Sequence, residues 1–104
     1  MKSSQFLETL AKTKVNQANY QPVVLCHLLS ADGLKDTQEN IAQKLKEKNP
    51  SGDFSYFKSA SCPVWKVLSG KKMIKKTGDF WQINADLSKS EIQEARKICM
   101  GLMA

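Results

Sequence analysis

The spacing of apolar positions divides the chain into five helices and one β-hairpin. Phe6, Leu7, Leu10 and Ala11 recur at helical spacing and predict a first helix over residues 3–14, capped by Ser3 or Ser4. Val15 to Gln17 connects it to a second helix, from Tyr20 to about Ala31. Asn19 stands at the N-cap of that helix, and Pro22 falls in its first turn, where no intrahelical amide donor is needed. Val23, Val24, Leu25, Cys26, Leu28 and Leu29 make it apolar on most sides, so it belongs in the middle of a core. Gly33 can supply the left-handed residue that ends it. Asp36 and Glu39 have the spacing of a capping box and open a third helix, from Thr37 to about Lys48. Ile41, Ala42 and Leu45 form its buried face, and Lys44, Lys46, Glu47 and Lys48 its wet one. Asn49-Pro50-Ser51-Gly52-Asp53 breaks it. Phe54 to Phe57 fits either a short aromatic strand or a structured loop.

A fourth helix is predicted over about 61–69. Ser59 and Ser61 are candidate caps, Pro63 suits the first turn, Val64, Val67 and Leu68 have buried spacing, and Gly70 is the stop. Lys72 to Lys76 and Phe80 to Asn84 then predict two strands around the loop Thr77-Gly78-Asp79. Trp81 and Ile83 alternate with Phe80 and Gln82, which gives one core face and one exposed face. Met73 and Ile74 are adjacent, so opposite faces are expected, with Ile74 inward. Ser88 and Glu91 form a second capping box, which opens a last helix to roughly Leu102. Ile92, Ala95, Cys99 and Leu102 line one stripe of it, with Ile98 at the edge.

Composition narrows the class. The 104 residues are 41% hydrophobic and 25% charged, which is ordinary for one globular domain spanning 1–104. No apolar run approaches the roughly 18 residues that cross a bilayer, so no membrane partner is expected. Met1 to Leu10 lacks the apolar core of a signal peptide, and the expected compartment is the cytoplasm, on the nucleoid if the source is prokaryotic. Cys26, Cys62 and Cys99 are too far apart for a C-x-x-C pair, and the chain has one histidine. No metal, cofactor or disulfide framework is expected from that set. The cysteines fit as small core residues. His27 has no carboxylate three or four residues away, and it fits as a satisfied, partly buried side chain rather than a base. Without a second histidine, a cluster of carboxylates on a strand or a glycine-rich phosphate loop, no hydrolytic activity is expected, and no catalytic residue is assigned.

Charge changes the picture. Sixteen Lys+Arg against ten Asp+Glu give a net charge of +6. Six lysines, Lys58, Lys66, Lys71, Lys72, Lys75 and Lys76, lie between Phe54 and Gly78 with no acid among them, so that window carries the entire excess. A one-sided field of this kind suits a polyanion partner, and it is also what a solvated lysine-rich face would show.

The order of elements, with residues 19–84 as a core, resembles a winged helix-turn-helix. The fold expected is mainly α with a small β-hairpin, extended by N- and C-terminal helices over about 3–14 and 88–102. The resemblance rests on Asn19-Tyr20-Gln21-Pro22-Val23, on Asp36-x-x-Glu39-Asn40-Ile41-Ala42, and on Pro63-Val64-Trp65-Lys66-Val67-Leu68. Lys72-Met73-Ile74-Lys75-Lys76 and Gly78-Asp79-Phe80-Trp81-Gln82-Ile83 complete it. These segments are similar to the reader modules of Mrr-like and modification-dependent restriction endonucleases, an outline that many transcriptional repressors share. The resemblance implies double-stranded DNA as partner, the helix at about 61–69 in the major groove, and the wing at 72–84 on the backbone or minor groove. It also implies a nuclease domain, if there is one, on another chain.

The DNA-facing residues expected on this basis are Lys58, Ser59, Ser61, Trp65, Lys66, Lys71, Lys72, Lys75, Lys76 and Thr77. The lysines would position the duplex, and Ser59, Ser61 and Lys66 could address base edges. Trp65 is open to two readings: an exposed aromatic that contacts a thymine methyl or a methylated base and can stack on a base, or a side chain packed under the wing or against Phe54. Trp81 is expected in the core. Tyr56 and Phe57 could pin the loop before the fourth helix or line a pocket with Trp65. An alternative to DNA binding is a protein-interaction module. The first helix and Ile92, Ile98, Cys99, Met100, Leu102 and Met103 carry apolar residues that could also form a homodimer.

Overall fold

The computed structural model describes residues 1–13, 20–48, 54–58 and 63–103. The expected caps Asn19, Ser59 and Ser61 lie outside these residues, as does Cys62. The elements run α1 (Ser3–Ala11), α2 (Tyr20–Ser30), β1 (Lys35–Thr37), α3 (Gln38–Lys48), α4 (Phe54–Lys58), α5 (Pro63–Gly70), β2 (Ile74–Thr77), β3 (Phe80–Ile83) and α6 (Lys89–Met103). The protein is therefore mainly helical, with one small antiparallel sheet in the order β1-β3-β2.

α2 lies at the centre, as its all-round apolar sequence requires, with Val24, Leu25 and Leu28 fully buried. α6, α3, α5 and the sheet pack around it, and α1 closes the outside by packing on α6. Phe6 and Leu10 of α1 and Ala95 and Cys99 of α6 belong to the same core as α2. Much of the apolar surface of the terminal helices is thus consumed within the chain. Burial pushes the Cys99 thiol up to about 12, and nearby Cys26 adds to the rise, so Cys99 stays a protonated, inert core residue.

Several local expectations change. The segment 54–58 is a helix rather than a strand or loop; it packs on α3, and the main-chain oxygen of Phe57 accepts from Trp65 Nε1 at 3.2 Å. β1 joins the expected hairpin as a third strand, which three residues between two helical segments are too short to signal. The cap of α3 is Thr37 Oγ1, which accepts from the Asn40 amide at 3.1 Å. Asp36 instead receives the Thr37 amide at 2.7 Å and the Asn40 side-chain amide at 2.8 Å. The second capping box holds: the Ser88 amide donates to Glu91 Oε1 at 2.9 Å and the Glu91 amide to Ser88 Oγ at 3.3 Å.

α5 ends with Gly70 as its last helical residue, and Lys71 and Lys72 form the turn that closes it. The Met73 amide bonds the Leu68 carbonyl and the Lys72 amide the Ser69 carbonyl, a Schellman closure. Its left-handed position is filled by Lys72, with φ 63°, rather than by the glycine. Leu68 and Met73 are both buried, the apolar contact that accompanies this closure. Met73 and Ile74 therefore both point inward, because Met73 lies in the turn and outside the strand pleat.

The hairpin loop is two residues long, since Thr77 pairs with Phe80. Gly78 takes the positive φ, 61°, at the first central position, a conformation that favours glycine.

Candidate nucleic-acid interface

The register of the sheet decides where the lysines go. Residues directly opposite each other share a face. Lys76, Trp81 and Asp36 lie on the face that meets the helices; Lys75, Gln82 and Lys35 lie on the other. Adjacent lysines at 75 and 76 are therefore sent to opposite sides of the ribbon.

On the inner face, two indoles join the hairpin to α5. Trp65 and Trp81 stack with ring centroids 5.6 Å apart and planes 5° from parallel. Trp65 is 3% exposed, so the packed reading holds and the expected base-stacking role does not: no face of its ring is open to a base. The buried stripe of α5 is accordingly Val64, Trp65 and Leu68, with Val67 turned out to solvent. Trp65 turns inward because its indole N–H has an acceptor on α4 and its ring a partner on β3. Trp81 is 9% exposed, as expected of a core residue.

Gln38, the first residue of α3, ties this face together. Its Oε1 accepts from Trp81 Nε1 at 2.9 Å and from Lys76 Nζ at 3.3 Å. Lys76 Nζ also stands 5.0 Å from the Trp81 ring centroid, within cation–π range. Lys76 thus sits at the junction of the hairpin with α3. Lys66 is exposed beside Trp65 on α5.

The outer face carries a cation that sequence reasoning missed. Lys35 reaches the sheet through β1, and its Nζ lies 5.1 Å from the centroid of Phe80, which is 38% exposed. Lys35 and Lys75 flank Gln82 from the two neighbouring strands. Thr77 is exposed at the last rung, with Oγ1 donating to Gln82 Oε1 at 3.4 Å.

Lys71 and Lys72 form a third group at the base of the hairpin. Lys71 Nζ donates to Gln21 Oε1 at the start of α2, at 3.0 Å. Both line a hollow of about 400 Å³ with Met1, Gln5, Glu8 and Thr9 of the amino-terminal segment. The lysines expected to form one array therefore occupy three settings around a single ribbon. Lys58 lies in α4, and Ser59 and Ser61 lie outside the described residues.

A polar clamp holds β1 against α2. His27 Nε2 donates to Asp36 Oδ2 at 2.7 Å. Partial burial raises the Asp36 carboxyl, but hydrogen bonds from Asn40, His27 and the Thr37 amide, with the charge of a protonated His27, hold it below its ordinary value. His27 is half-buried with a partner, as expected; the carboxylate comes from nine residues away, beyond the reach of a helical-spacing search.

Among the described residues no group of three His, Cys, Asp or Glu side chains could hold a metal ion, and no helix is long and apolar enough to cross a membrane. The chain matches no protein-family model, no curated protein and no solved structure.

Proposed function

We propose that this protein is a winged helix-turn-helix that binds double-stranded DNA, with α5 toward the major groove and the β2–β3 hairpin as the wing. Three features support the reading. α2, α3 and α5 surround one core, β1 falls between α2 and α3, and β1 pairs with the second strand of the hairpin. The observation that carries it is the Trp65–Trp81 stack, which joins α5 to the hairpin. The stack fixes the helix and the hairpin to each other, Lys66 is exposed on that helix, and Lys76 lies over the Trp81 ring of the hairpin. Lysines so placed contact phosphates and set register, while sequence selection falls to the solvent-facing side of α5. Whether that selection includes a methylated base, as the resemblance to restriction readers suggests, is part of the same proposal.

The reading is tested by fluorescence anisotropy of a labelled random duplex at two salt concentrations. Affinity falls with salt at a slope of roughly −0.9 per neutralised phosphate, and Lys66→Glu with Lys76→Glu abolishes it. Absence of binding at low salt removes the proposal in favour of a protein partner. A duplex pool with and without adenine or cytosine methylation separates a modification reader from a sequence reader.

A further inference from the structure

α2, α3 and α6 leave a hollow of about 350 Å³ that contains none of the hairpin lysines. Its apolar surface is formed by Val23, Cys26 and Met100, and Lys44 and Lys48 stand on its α3 side, one helical turn apart. Small-ligand sites begin at about 300 Å³ and combine an apolar lining with a few polar groups that orient the ligand. Met100 is 51% exposed here, although most large apolar side chains of the fold are buried. An unbranched thioether at a partly open hollow can adapt to what enters it.

The polar groups set the ligand's sign. Among the described residues no carboxylate lines the hollow, and the histidine in its wall, His27, is already bonded to Asp36. Lys44 contacts Glu47 at 3.5 Å, but that pair is exposed, with side-chain accessibilities of 42% and 59%. An exposed i, i+3 pair is worth little, so an incoming anion can displace it. Lys48 offers the second cation one turn away.

We infer that this hollow binds a small amphiphilic carboxylate, its head between Lys44 and Lys48 and its apolar body on Val23, Cys26 and Met100. The site shares no residue with the hairpin lysines, so the inference stands apart from the DNA-binding reading.

The test uses octanoate as the probe, with octylammonium and octan-1-ol at equal concentration, followed by ¹H–¹⁵N spectra of the whole chain. Octanoate is expected to shift the amides of residues 23–27 and 98–101 saturably, and the other two probes to leave them in place. Lys44→Gln with Lys48→Gln should weaken octanoate by about tenfold or more, as loss of charge-assisted hydrogen bonds does. Lys75→Gln should leave the affinity unchanged. Both variants change accessible side chains, and an otherwise unaltered spectrum checks their fold. Equal response to octylammonium or octan-1-ol, shifts mapping elsewhere, or full affinity in the Lys44/Lys48 variant would each overturn the assignment.

Discussion

The two sides of α2 are held by different physics. Toward α6 the contacts are apolar: Val24, Leu25 and Leu28 share a buried cluster with Ala95 and Cys99. Toward the sheet the same apolar cluster continues through Ile74, Trp81 and Ile83, and directional bonds in and around the sheet are added to it. His27 bonds Asp36, Thr37 caps Asn40, Gln38 accepts from both Trp81 and Lys76, and Trp65 donates to Phe57. Apolar packing tolerates small shifts at modest cost, whereas a hydrogen-bonded corner specifies orientation. The side that carries Lys35, Lys75 and Lys76 is the one to which directional bonds are added.

The comparison can be broken or sharpened by substitution, with chemical denaturation as the measurement. Trp65→Ala removes the stack and the bond to Phe57, and should cost about 3–5 kcal/mol while loosening the hairpin from α5. Leu28→Ala, at the centre of the apolar side, should cost about 2–5 kcal/mol but leave the hairpin amides unshifted. If Leu28→Ala disturbs the hairpin as much as Trp65→Ala does, the two sides are not distinct.

Asp36→Ala should cost about 1–3 kcal/mol, since it strands the His27, Asn40 and Thr37 donors. It also carries a pH signature. The Asp36 carboxyl is depressed in the folded state, so its contribution is present above its ordinary value of 3.8 and is lost as pH falls through the lower folded value. The difference in stability between wild type and Asp36→Asn should therefore shrink on acidification through that range. A constant difference would deny the clamp its charge.

Ser88→Ala removes the cap of α6 and should cost about 1 kcal/mol without touching the sheet. Lys72→Gly is the smallest effect and has the opposite sign. A non-glycine residue at φ 63° carries strain of about 1–2 kcal/mol, offset by the roughly 0.5–1 kcal/mol entropy cost of glycine. A slight gain in stability with weaker duplex binding would mean that the lysine is present for its charge.

Much of this was legible along the chain because it depends on near neighbours. The apolar character of α2, the Ser88–Glu91 box, the turn glycine at 78 and the inward positions of Trp81 and Ile83 are local signals, each set by a few residues of spacing or turn chemistry. The expected break at Asn49–Asp53 lies outside the described residues. The run of lysines is a property of composition and needed no fold.

What the tertiary structure decided is everything that depends on a partner remote in sequence. β1 exists because β3 is beside it, and it brings Lys35 to the outer face. Trp65 is buried because Phe57 and Trp81 meet it, although its neighbour Lys66 is exposed. His27 finds its carboxylate across a turn, and Lys75 and Lys76 part company because a strand alternates sides. Spacing along a chain records which residues share a face of one element. It does not record which other element that face will meet, and here the meeting of faces determines which lysines can act together.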